Sequence, residues 1–286
     1  MRIFLTGATG QIGGELLSLL STHDVIAPSR AECDLADPQS IRRAVRAAHC
    51  DLIINPAAYT AVDRAEQEPD LARAINADAP AVLGEEAKKL SVPLIHFSTD
   101  YVFDGVGTAP YDETHPVSPI SVYGSTKLDG ERAVQAAGGT FLILRTAWVY
   151  GRRGKNFLLT IERLARERPR LTIVADQRGT PNWARELARA AAALALRDPD
   201  ELSALSGIYN LTAQGETTWY GFAGAIVESM RLANPPEIVP ITTAEFPTPA
   251  RRPAYSVLSG DKLKRAFGIE LPPWRDSLTE CQPTGN

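Results

Sequence analysis

The sequence predicts an α/β fold, with a doubly wound parallel sheet and a smaller lobe that follows it. Short apolar runs alternate with helical stretches from Ile3 to Leu144. These runs lack polar–apolar alternation, which is typical of strands covered on both faces. The repeated order of strand and helix favours parallel strands joined by crossover helices. A length of 286 residues suits one large α/β domain or two lobes.

The predicted elements follow in chain order. The strands are the apolar runs 3–5, 25–26, 52–54, 94–97, 141–144, 171–174 and 208–211. The helices are predicted over 15–20, 38–48, 71–90, 122–137, 157–167 and 184–196. Asp37 is positioned to cap the helix that begins at Pro38. The segment 176–182 is predicted to be a loop. Beyond Thr217 we expect one helix and then proline-rich loops.

Composition excludes several classes of protein. Lysine and arginine number 30 against 34 aspartates and glutamates, a net charge of −4, which argues against a nucleic-acid partner or an anionic membrane. Residues 1–20 lack the pattern of a signal peptide, and no apolar run approaches the length of a membrane span. The three cysteines are not closely spaced, so we predict a cytoplasmic protein in a reducing compartment. The four histidines are scattered and predict no histidine-based metal site.

A glycine-rich turn follows the first predicted strand. Gly7, Gly10 and Gly13 form a GxxGxxG pattern at the start of the first helix. Glycines there allow a tight turn and close approach of a pyrophosphate to the helix N-terminus. An ordinary strand-to-helix turn is the alternative, but the position directly after the first strand favours dinucleotide binding in a Rossmann-type fold. Residues 1–150 are therefore the predicted NAD(P)-binding domain, with return elements near 184–213. Residues 151–286 are the predicted substrate-binding lobe, expected to be discontinuous.

The end of the second strand distinguishes the two nicotinamide cofactors. An acidic residue there would hold a ribose 2′-hydroxyl and repel a 2′-phosphate. Ser29 and Arg30 instead offer a hydroxyl and a guanidinium to a phosphate, which favours NADPH and leaves NADH open. A solvated loop arginine is the alternative for Arg30. Asp34 follows shortly and is a candidate acceptor from the adenine amino group.

A YxxxK motif supplies the candidate catalytic pair. Tyr123 and Lys127 lie on one face of the helix predicted after the fourth strand. A nearby ammonium would lower the phenol pKa and suit Tyr123 to acid–base work. Thr99 and Ser98 end the fourth strand, where hydroxyls face the cofactor crevice, although turn capping is the alternative for both. Asn76 is either a group that holds the backbone near Lys127 or an exposed helix asparagine.

These motifs resemble the extended short-chain dehydrogenase/reductases and, more closely, the dTDP-4-dehydrorhamnose reductase family. The resemblance spans nearly the whole chain. It rests on GATGQIGGEL (7–16), STDYVFDG (98–105), VYGSTKLDGE (122–131), RTAWVYG (145–151), DQRGTPNWA (176–184) and ARRPAYSVL (250–258). It implies a Rossmann-type sheet, NAD(P)H and a dTDP-sugar substrate. The implied reaction is reduction of the 4-keto group of dTDP-4-dehydro-L-rhamnose by NADPH, the last step of dTDP-rhamnose synthesis, with Tyr123 as proton donor.

The resemblance also assigns individual residues. It implies the catalytic trio Thr99, Tyr123 and Lys127. The implied cofactor contacts are Gly7, Gly10, Gln11, Ile12, Gly13, Ser29, Arg30, Asp34, Leu35, Ala58, Tyr59, Thr60, Tyr123 and Lys127. The implied substrate contacts are Thr99, Asp100, Trp148 and Arg252. Some family members carry magnesium between subunits, which makes Glu15 and Glu186, and less surely Glu280, candidate ligands and leaves a homodimer open.

Two other functions compete with this one. A sister reductase or epimerase for another 4-keto-6-deoxy nucleotide sugar would carry the same motifs, because stereochemistry depends on how the sugar is turned. A non-catalytic regulatory subunit would be favoured by loss of the tyrosine or the lysine, and both are present. Trp148 likewise has two interpretations, as a contact to the apolar edge of a 6-deoxy sugar or as packing between the lobes.

Overall fold

The computed structural model describes residues 1–282 and has a six-stranded parallel sheet at its centre. The strands are β1 (Arg2–Leu5), β2 (Asp24–Ile26), β3 (Leu52–Asn55), β4 (Leu94–Thr99), β5 (Phe141–Thr146) and β10 (Gly207–Asn210). Their order across the sheet is β10-β5-β4-β3-β1-β2, and every neighbouring pair is parallel. The order reverses between β1 and β3, which is where ligands bind in doubly wound folds. The predicted α/β class is confirmed.

Helices cover both faces of this sheet. The α-helices of residues 1–282 are α1 (Gln11–Leu19), α2 (Pro38–Ala48), α3 (Val62–Ala65), α4 (Pro69–Arg73), α5 (Ala79–Leu90), α6 (Val122–Ala137), α7 (Phe157–Glu167), α8 (Ala184–Ala195), α9 (Pro199–Ala204), α10 (Trp219–Ser229), α11 (Asp261–Phe267) and α12 (Trp274–Cys281). Ile3 and Leu5 of β1 join one apolar cluster, which includes Leu16 of α1, while Phe4 joins the other, which includes Ile41 of α2. Both faces of β1 are thus buried, which explains its unalternated apolar sequence.

The segment predicted as one helix over 71–90 is divided in two. A π-helical turn, Ala74–Asp78, separates α4 from α5. Pro80 has no N–H group to donate to the carbonyl of Asn76, four residues earlier, so regular α-helix geometry is interrupted there. The freed Asn76 carbonyl lies where a Cβ on Gly130 of α6 would come within 2.1 Å of it. The glycine therefore lets α6 approach this turn closely.

Outside the central sheet the chain forms three two-stranded sheets. β6 (Val149–Tyr150) pairs with β9 (Asn182–Trp183), β7 (Arg170–Val174) with β12 (Glu237–Ile241), and β8 (Arg178–Gly179) with β11 (Thr217–Thr218). We call residues 147–183 and 214–259 the irregular region. The prediction of a plain loop over 176–182 was wrong, because β8 and the start of β9 lie there.

The C-terminal prediction was also incomplete. Beyond α10 the chain forms β12, α11 and α12 where proline-rich loops were expected. β12 tolerates Pro240 because it is one of two strands in an edge pair, and its partner β7 comes from a distant part of the sequence. α12 follows Pro273 and buries Trp274 and Leu278. Both elements depend on contacts that a local pattern does not reveal.

After residues 147–183, which lie outside the central sheet, the chain returns to it. α8 packs on α1, and β10 pairs with β5 in register from Gly207–Leu142 to Asn210–Arg145. The division near residue 150 remains a prediction. Within residues 1–282 no helix is long and apolar enough to cross a membrane, and Cys33, Cys50 and Cys281 are all buried as free thiols.

Candidate active site

The glycine turn joins β1 to α1 in a shape that side chains would prevent. Gly7 has φ +61°, in the left-handed region that favours glycine. A Cβ on Gly13 would come within 2.1 Å of the Gly7 carbonyl oxygen. Gly10 is the N-cap of α1, and no side chain caps this helix end. The N–H groups at the start of α1 are thus left for a ligand, and an anion such as a pyrophosphate fits them.

A cavity of about 480 Å³ opens beside this turn. It is lined by Thr6, Gly7, Ala8, Thr9, Ala27, Pro28, Ser29, Arg30, Glu32, Cys33, Asp34, Leu35, Ala57, Ala58 and Ile75. The structure therefore brings together six of the predicted cofactor residues, namely Gly7, Ser29, Arg30, Asp34, Leu35 and Ala58. Pro28 and four alanines make part of the wall apolar. The cavity has the mixed lining expected for an adenosine with its phosphates.

The other predicted cofactor residues lie around this cavity rather than on its walls. Gln11 and Ile12 occupy the first turn of α1, and the Gln11 side chain bonds to Asn156 (Nδ2 to Oε1, 3.0 Å). The Tyr59 hydroxyl donates to Glu68 (2.5 Å), and Thr60 is exposed. Contact of these residues with a cofactor remains a prediction.

Asn76 is buried, so the alternative of an exposed helix asparagine was wrong. Its Oδ1 accepts from the Tyr59 backbone N–H (2.8 Å), and its Nδ2 donates to the Tyr59 carbonyl (3.1 Å). The same Nδ2 donates to the Thr126 hydroxyl (3.2 Å), next to Lys127. Asn76 thus holds the segment after β3 against the helix that carries the YxxxK motif.

α6 presents Tyr123 and Lys127 one turn apart. Ser121 is its N-cap and accepts from the Gly124 N–H (3.2 Å). Gly124 is required because a Cβ there would lie 2.3 Å from the Tyr101 carbonyl oxygen. This close contact sets the first turn of α6 directly against the segment that follows β4.

Lys127 is almost fully buried beside β4. Its Nζ donates to the Phe97 carbonyl (2.7 Å) and lies 3.4 Å from Nε2 of His96. Burial lowers the pKa of Lys127 to about 8, and the Glu131 charge opposes that shift. His96 is also buried, and burial followed by the Lys127 charge holds its pKa well below the usual value, so its ring is neutral.

The Tyr123 hydroxyl keeps its proton more firmly than the sequence predicted. Burial raises the pKa of Tyr123 to about 12, while the Thr99 side chain lowers it by hydrogen bonding and the Asp100 charge raises it further. We expected the Lys127 ammonium to lower this pKa, and that expectation was wrong, because burial raises it and the ammonium donates to the Phe97 carbonyl instead. A phenol that remains protonated at neutral pH is suited to donate a proton.

Thr99 is the last residue of β4, Asp100 follows it, and both are buried. The Thr99 hydroxyl donates to Asp100 Oδ1 (3.0 Å). Asp100 Oδ2 has no hydrogen-bond partner among the residues that the structure describes. Burial raises the pKa of Asp100 to about 6, and hydrogen bonds from Ser256 and Thr99 oppose it. An unsatisfied buried carboxylate oxygen at the edge of a parallel sheet is an acceptor available to a ligand.

Ser98 faces away from this edge. Its hydroxyl donates to Glu131 (2.5 Å), which also accepts two bonds from the Arg145 guanidinium (2.9 and 2.7 Å). Glu131 and Arg145 are both buried, with side-chain exposures of 0% and 3%. The Ser98 hydroxyl therefore anchors α6 to β4 and β5 and does not face the cofactor crevice as predicted.

Trp148 emerges two residues after β5, as the sequence predicted. Its φ of +43° lies in the left-handed region, which is unusual for a bulky residue. The indole stacks on Trp219 of α10 with ring centroids 3.5 Å apart, and it covers Gly179, whose Cβ would lie 2.5 Å from it. Strained backbone of this kind persists where surrounding structure enforces it, and it is frequent at ligand sites.

A second cavity, of about 340 Å³, lies below the Trp219 ring. It is lined by Asp63, Phe157, Thr172, Ile173, Val174, Gln177, Trp219, Ile241, Phe246, Thr248 and Arg252. Arg252 forms a two-point ion pair with Asp63 (3.0 and 2.8 Å), which joins the irregular region to the segment after β3. Its guanidinium holds the pKa of Asp63 below the usual value. Flat aromatic surface beside a cation suits a base with phosphates.

The glutamates that the resemblance connects with magnesium are paired with arginines. Glu15 contacts Arg153 (3.3 Å) and Arg185 (3.9 Å), and Arg189 bridges Glu186 (2.5 Å) and Glu280 (3.2 Å). In the described part of the chain no group of three potential ligands could hold a metal ion. These carboxylates therefore have cationic partners within the chain, and the structure gives no support to magnesium.

Sequence reasoning missed four side chains of the site. Trp219 and Tyr101 contribute rings, Tyr101 edge-on to Tyr123 at 5.5 Å. His96 contacts Lys127, and Glu32 lines the cofactor cavity. His96 and Tyr101 flank Ser98–Asp100 within a stretch already singled out, so their position alone could have indicated them. Trp219 carries no such local signal.

Comparisons with known proteins agree with this geometry. Residues 1–284 match the family model described as the RmlD substrate binding domain. A dTDP-4-dehydrorhamnose reductase from Burkholderia thailandensis is 47% identical over 98% of both chains. The crystal structure of a dTDP-4-dehydrorhamnose reductase from Clostridium acetobutylicum has a TM-score of 0.92, with 37% identity and 98% coverage of both chains. The enzyme of that name from Bacillus anthracis, solved in complex with NADP, has a TM-score of 0.91, with 33% identity and 98% coverage of both chains. The chain therefore belongs to the RmlD family.

Proposed function

We propose that this protein reduces the 4-keto group of dTDP-4-dehydro-L-rhamnose with NADPH and forms dTDP-L-rhamnose. One observation carries the proposal: a half-buried, protonated phenol, a buried lysine and a buried threonine hydroxyl meet at the sheet edge beside an uncapped glycine turn. That arrangement fits a hydride-transfer site next to a dinucleotide. The relatives named as reductases of this sugar support the choice of substrate.

The cofactor supplies the hydride that reaches C4 of the sugar, and the protein manages the proton. Tyr123 donates its hydroxyl proton to the alkoxide oxygen that forms at C4, because its high pKa keeps that proton in place until the charge develops. Thr99 lies beside that hydroxyl and hydrogen-bonds the same sugar oxygen. Lys127, fixed by the Phe97 carbonyl, orients the nicotinamide ribose and supplies positive charge below about pH 8. Each group acts mainly through placement and charge.

The cofactor occupies the cavity beside the glycine turn in this proposal. Gln11 and Ile12 hold the pyrophosphate through their backbone N–H groups at the start of α1, with Gly7, Gly10 and Gly13 allowing its approach. The 2′-phosphate is faced by Ser29 and Arg30, and the adenine is flanked by Asp34 and Leu35. The part of the cofactor nearer the nicotinamide is lined by Ala58, Tyr59 and Thr60. The uncapped helix end and the glycine contacts support this arrangement.

The nucleotide of the substrate occupies the second cavity. Trp219 and Phe246 offer aromatic faces to the base, and Arg252 offers its guanidinium to the phosphates. Trp148 then contacts the sugar between this cavity and Tyr123, with Asp100 as a hydrogen-bond acceptor. We place the reaction in the cytoplasm, since three free thiols suit a reducing compartment. A homodimer remains an expectation of the family resemblance.

Coupled turnover tests the proposal. We would supply dTDP-glucose with its 4,6-dehydratase and the 3,5-epimerase, add this protein, and follow NADPH absorbance while the product sugar is identified by NMR. The expected product has the rhamnose configuration and forms in equal amount to the NADPH consumed. A product with another configuration at C4, or reduction before the epimerase is added, would favour a sister reductase. No turnover of any 4-keto sugar would contradict the proposal.

A further inference from the structure

A carboxylate lies on the wall of the cofactor cavity, near the end of β2, where the sequence predicted no acidic residue that would hold the ribose. Glu32 lies on its wall, together with Ser29 and Arg30. Glu32 Oε2 accepts from the Ser29 backbone N–H and from the Ser29 hydroxyl, both at 2.8 Å. Two donors that could serve a bound phosphate are thus already occupied by an anion of the protein.

The position of Glu32 in the fold connects it with the adenosine ribose. It follows β2 and comes about 20 residues after the last glycine of the turn, the separation at which an acidic residue holds the ribose 2′-hydroxyl in dinucleotide-binding folds. The loop from Ser29 to Cys33 closes on itself, with the Ser29 carbonyl accepting from the backbone N–H groups of Glu32 and Cys33 (3.1 and 2.9 Å). A short, closed loop of this kind keeps the carboxylate at the end of β2.

Arg30 does not neutralise this carboxylate. Its side chain is 79% exposed, its Nε lies 4.0 Å from Asp34, and among the described residues it forms no ion pair with Glu32. Ser29 and Glu32 are also exposed, and the Glu32 carboxylate is held by its two hydrogen bonds from Ser29. The same cavity wall therefore offers two arrangements: a carboxylate on the Ser29 donors, or open Ser29 donors with Arg30 nearby.

We propose that Glu32 is a specificity-determining residue for the nicotinamide cofactor, acting as an internal competitor of the 2′-phosphate. With its carboxylate on Ser29, the cavity accepts the 2′-hydroxyl of NADH as a hydrogen-bond donor. A 2′-phosphate must displace that carboxylate before it can reach Ser29 and Arg30. The chain then discriminates weakly between NADPH and NADH. This inference rests on the proposed function for the identity of the cofactor, and it adds the residue that limits the preference.

Binary cofactor binding tests the proposal without any sugar. We would titrate NADPH and NADH into Glu32→Gln and Glu32→Ala by fluorescence and compare both dissociation constants with those of the wild type. Loss of the negative charge and release of the Ser29 donors should lower the dissociation constant for NADPH by about 10-fold. NADH should be unchanged or weakened by about 2- to 10-fold, the worth of one hydrogen bond. The adenosine half alone, 2′,5′-ADP against 5′-AMP, should follow the same order.

The chain provides a matched control. Glu245 makes the same motif in the irregular region, where it accepts from the Thr242 N–H (2.7 Å) and the Thr242 hydroxyl (2.8 Å). Glu245→Gln removes an equivalent loop cap away from the cofactor cavity. It should change the melting temperature as much as Glu32→Gln does and leave both cofactor constants unaltered.

Arg30→Ala supplies the opposite change. It should weaken NADPH by about 10- to 100-fold, the worth of a charge-assisted contact, and weaken NADH much less. Opposite movements of the NADPH constant in the Arg30 and Glu32 variants would support the competition.

Two results would overturn the proposal. One is a Glu32→Gln variant whose NADPH and NADH constants move together, with a melting temperature altered as in Glu245→Gln, since Glu32 would then be a loop cap only. The other is a wild-type protein that binds neither nucleotide. A shifted cofactor ratio in a protein that reduces no 4-keto sugar would uphold the role of Glu32 and count against the proposed function alone.

Discussion

The half of the molecule that holds the cofactor cavity and the irregular region are built in different ways. The cavity is lined by the turn that joins β1 to α1 and by the loop after β2, all within the first 35 residues, with Ala57, Ala58 and Ile75 completing it. The irregular region is held by contacts between residues that are distant in the sequence, which include short strand pairs and individual side-chain bonds. Asp63 and Arg252 are 189 residues apart, and Gln177 and Thr243 are 66 apart.

The difference shows where each part of the reaction is encoded. The binding of a dinucleotide needs a turn and a helix end, which a short stretch of sequence specifies. In the proposed function, selection of a sugar needs side chains brought together from distant segments, such as the stacked Trp148 and Trp219. We therefore expect changes in the cofactor half to affect the rate of chemistry or the stability of the fold. Changes in the irregular region should affect the choice of substrate.

Tyr123→Phe should give the largest effect. It removes the proton donor but keeps the ring, so kcat should fall by about 10²- to 10⁴-fold, the usual worth of a positioned acid. The dissociation constant for NADPH and the melting temperature should hardly change. Tyr209→Phe is the control, because it removes another phenol outside the site. The Tyr209 hydroxyl donates to the Leu205 carbonyl (2.7 Å). Near-normal turnover by folded Tyr123→Phe would remove this residue from the mechanism.

The cofactor half was largely predictable because its signals are local. The helix bounds 38–48, 122–137 and 157–167 were correct, and Asp37 caps α2 through the Gln39 N–H (2.8 Å), as expected. The glycine spacing correctly predicted the tight turn. What failed there was the pKa of Tyr123, since a sequence shows a neighbouring lysine but not the burial that opposes it. The carboxylate of Glu32 was missed because the loop that presents it folds back on Ser29.

Glu131→Gln should reduce stability by the next largest amount. It leaves the Arg145 guanidinium buried without its counter-charge, which costs about 3–5 kcal/mol of unfolding free energy. Asp63→Asn breaks the Arg252 pair of the irregular region, whose side chains are 22% and 40% exposed, and should cost about 1 kcal/mol or less. Urea unfolding measures both, with Asp129→Asn as an exposed control. Equal losses would contradict the contrast between the two regions.

Asp100→Asn should have an effect that depends on pH, because Asp100 lies where the two regions meet. Its pKa is raised to about 6 in the folded protein from a usual 3.8. The folded state thus retains a proton that the unfolded state loses between those values, and wild-type stability falls as pH rises through that range. Asparagine mimics the protonated form. The variant should gain up to about 3 kcal/mol relative to wild type between pH 3.5 and 8. A difference in unfolding free energy that stays constant with pH would refute the assignment.

Trp148→Ala should affect the substrate more specifically than the other variants, with a smaller loss than that of Tyr123→Phe or Glu131→Gln. The KM for the 4-keto sugar should rise by about 10-fold, as expected for the loss of one aromatic contact of about 1.4 kcal/mol. The affinity for NADPH should not change. Trp148→Phe should have a KM much closer to that of the wild type, because it keeps an aromatic face on Trp219. A large fall in melting temperature with an unaltered KM would make Trp148 a packing residue.

The irregular region was poorly predicted because its order depends on tertiary contacts. β8 and β11 contain two residues each, too few for any period to appear. β12 contains a proline and becomes a strand only beside β7. The position of Trp148 could be inferred from the preceding strand. Its stack on Trp219 could not, because all the elements from β6 to β11 lie between the two residues along the chain.

The position of β10 late in the sequence has a consequence for folding during synthesis on the ribosome. β5 ends at Thr146, and β10, which covers the edge of β5 opposite β4, begins at Gly207. At typical rates of translation, about 5–20 residues per second, the interval between them takes about 3–12 s. During that time β5 is an open strand edge, able to pair with a second nascent chain on the same messenger. Slow codons within 147–206 would lengthen this exposure, and a chaperone that covers an apolar edge would be most useful to the cell during this interval.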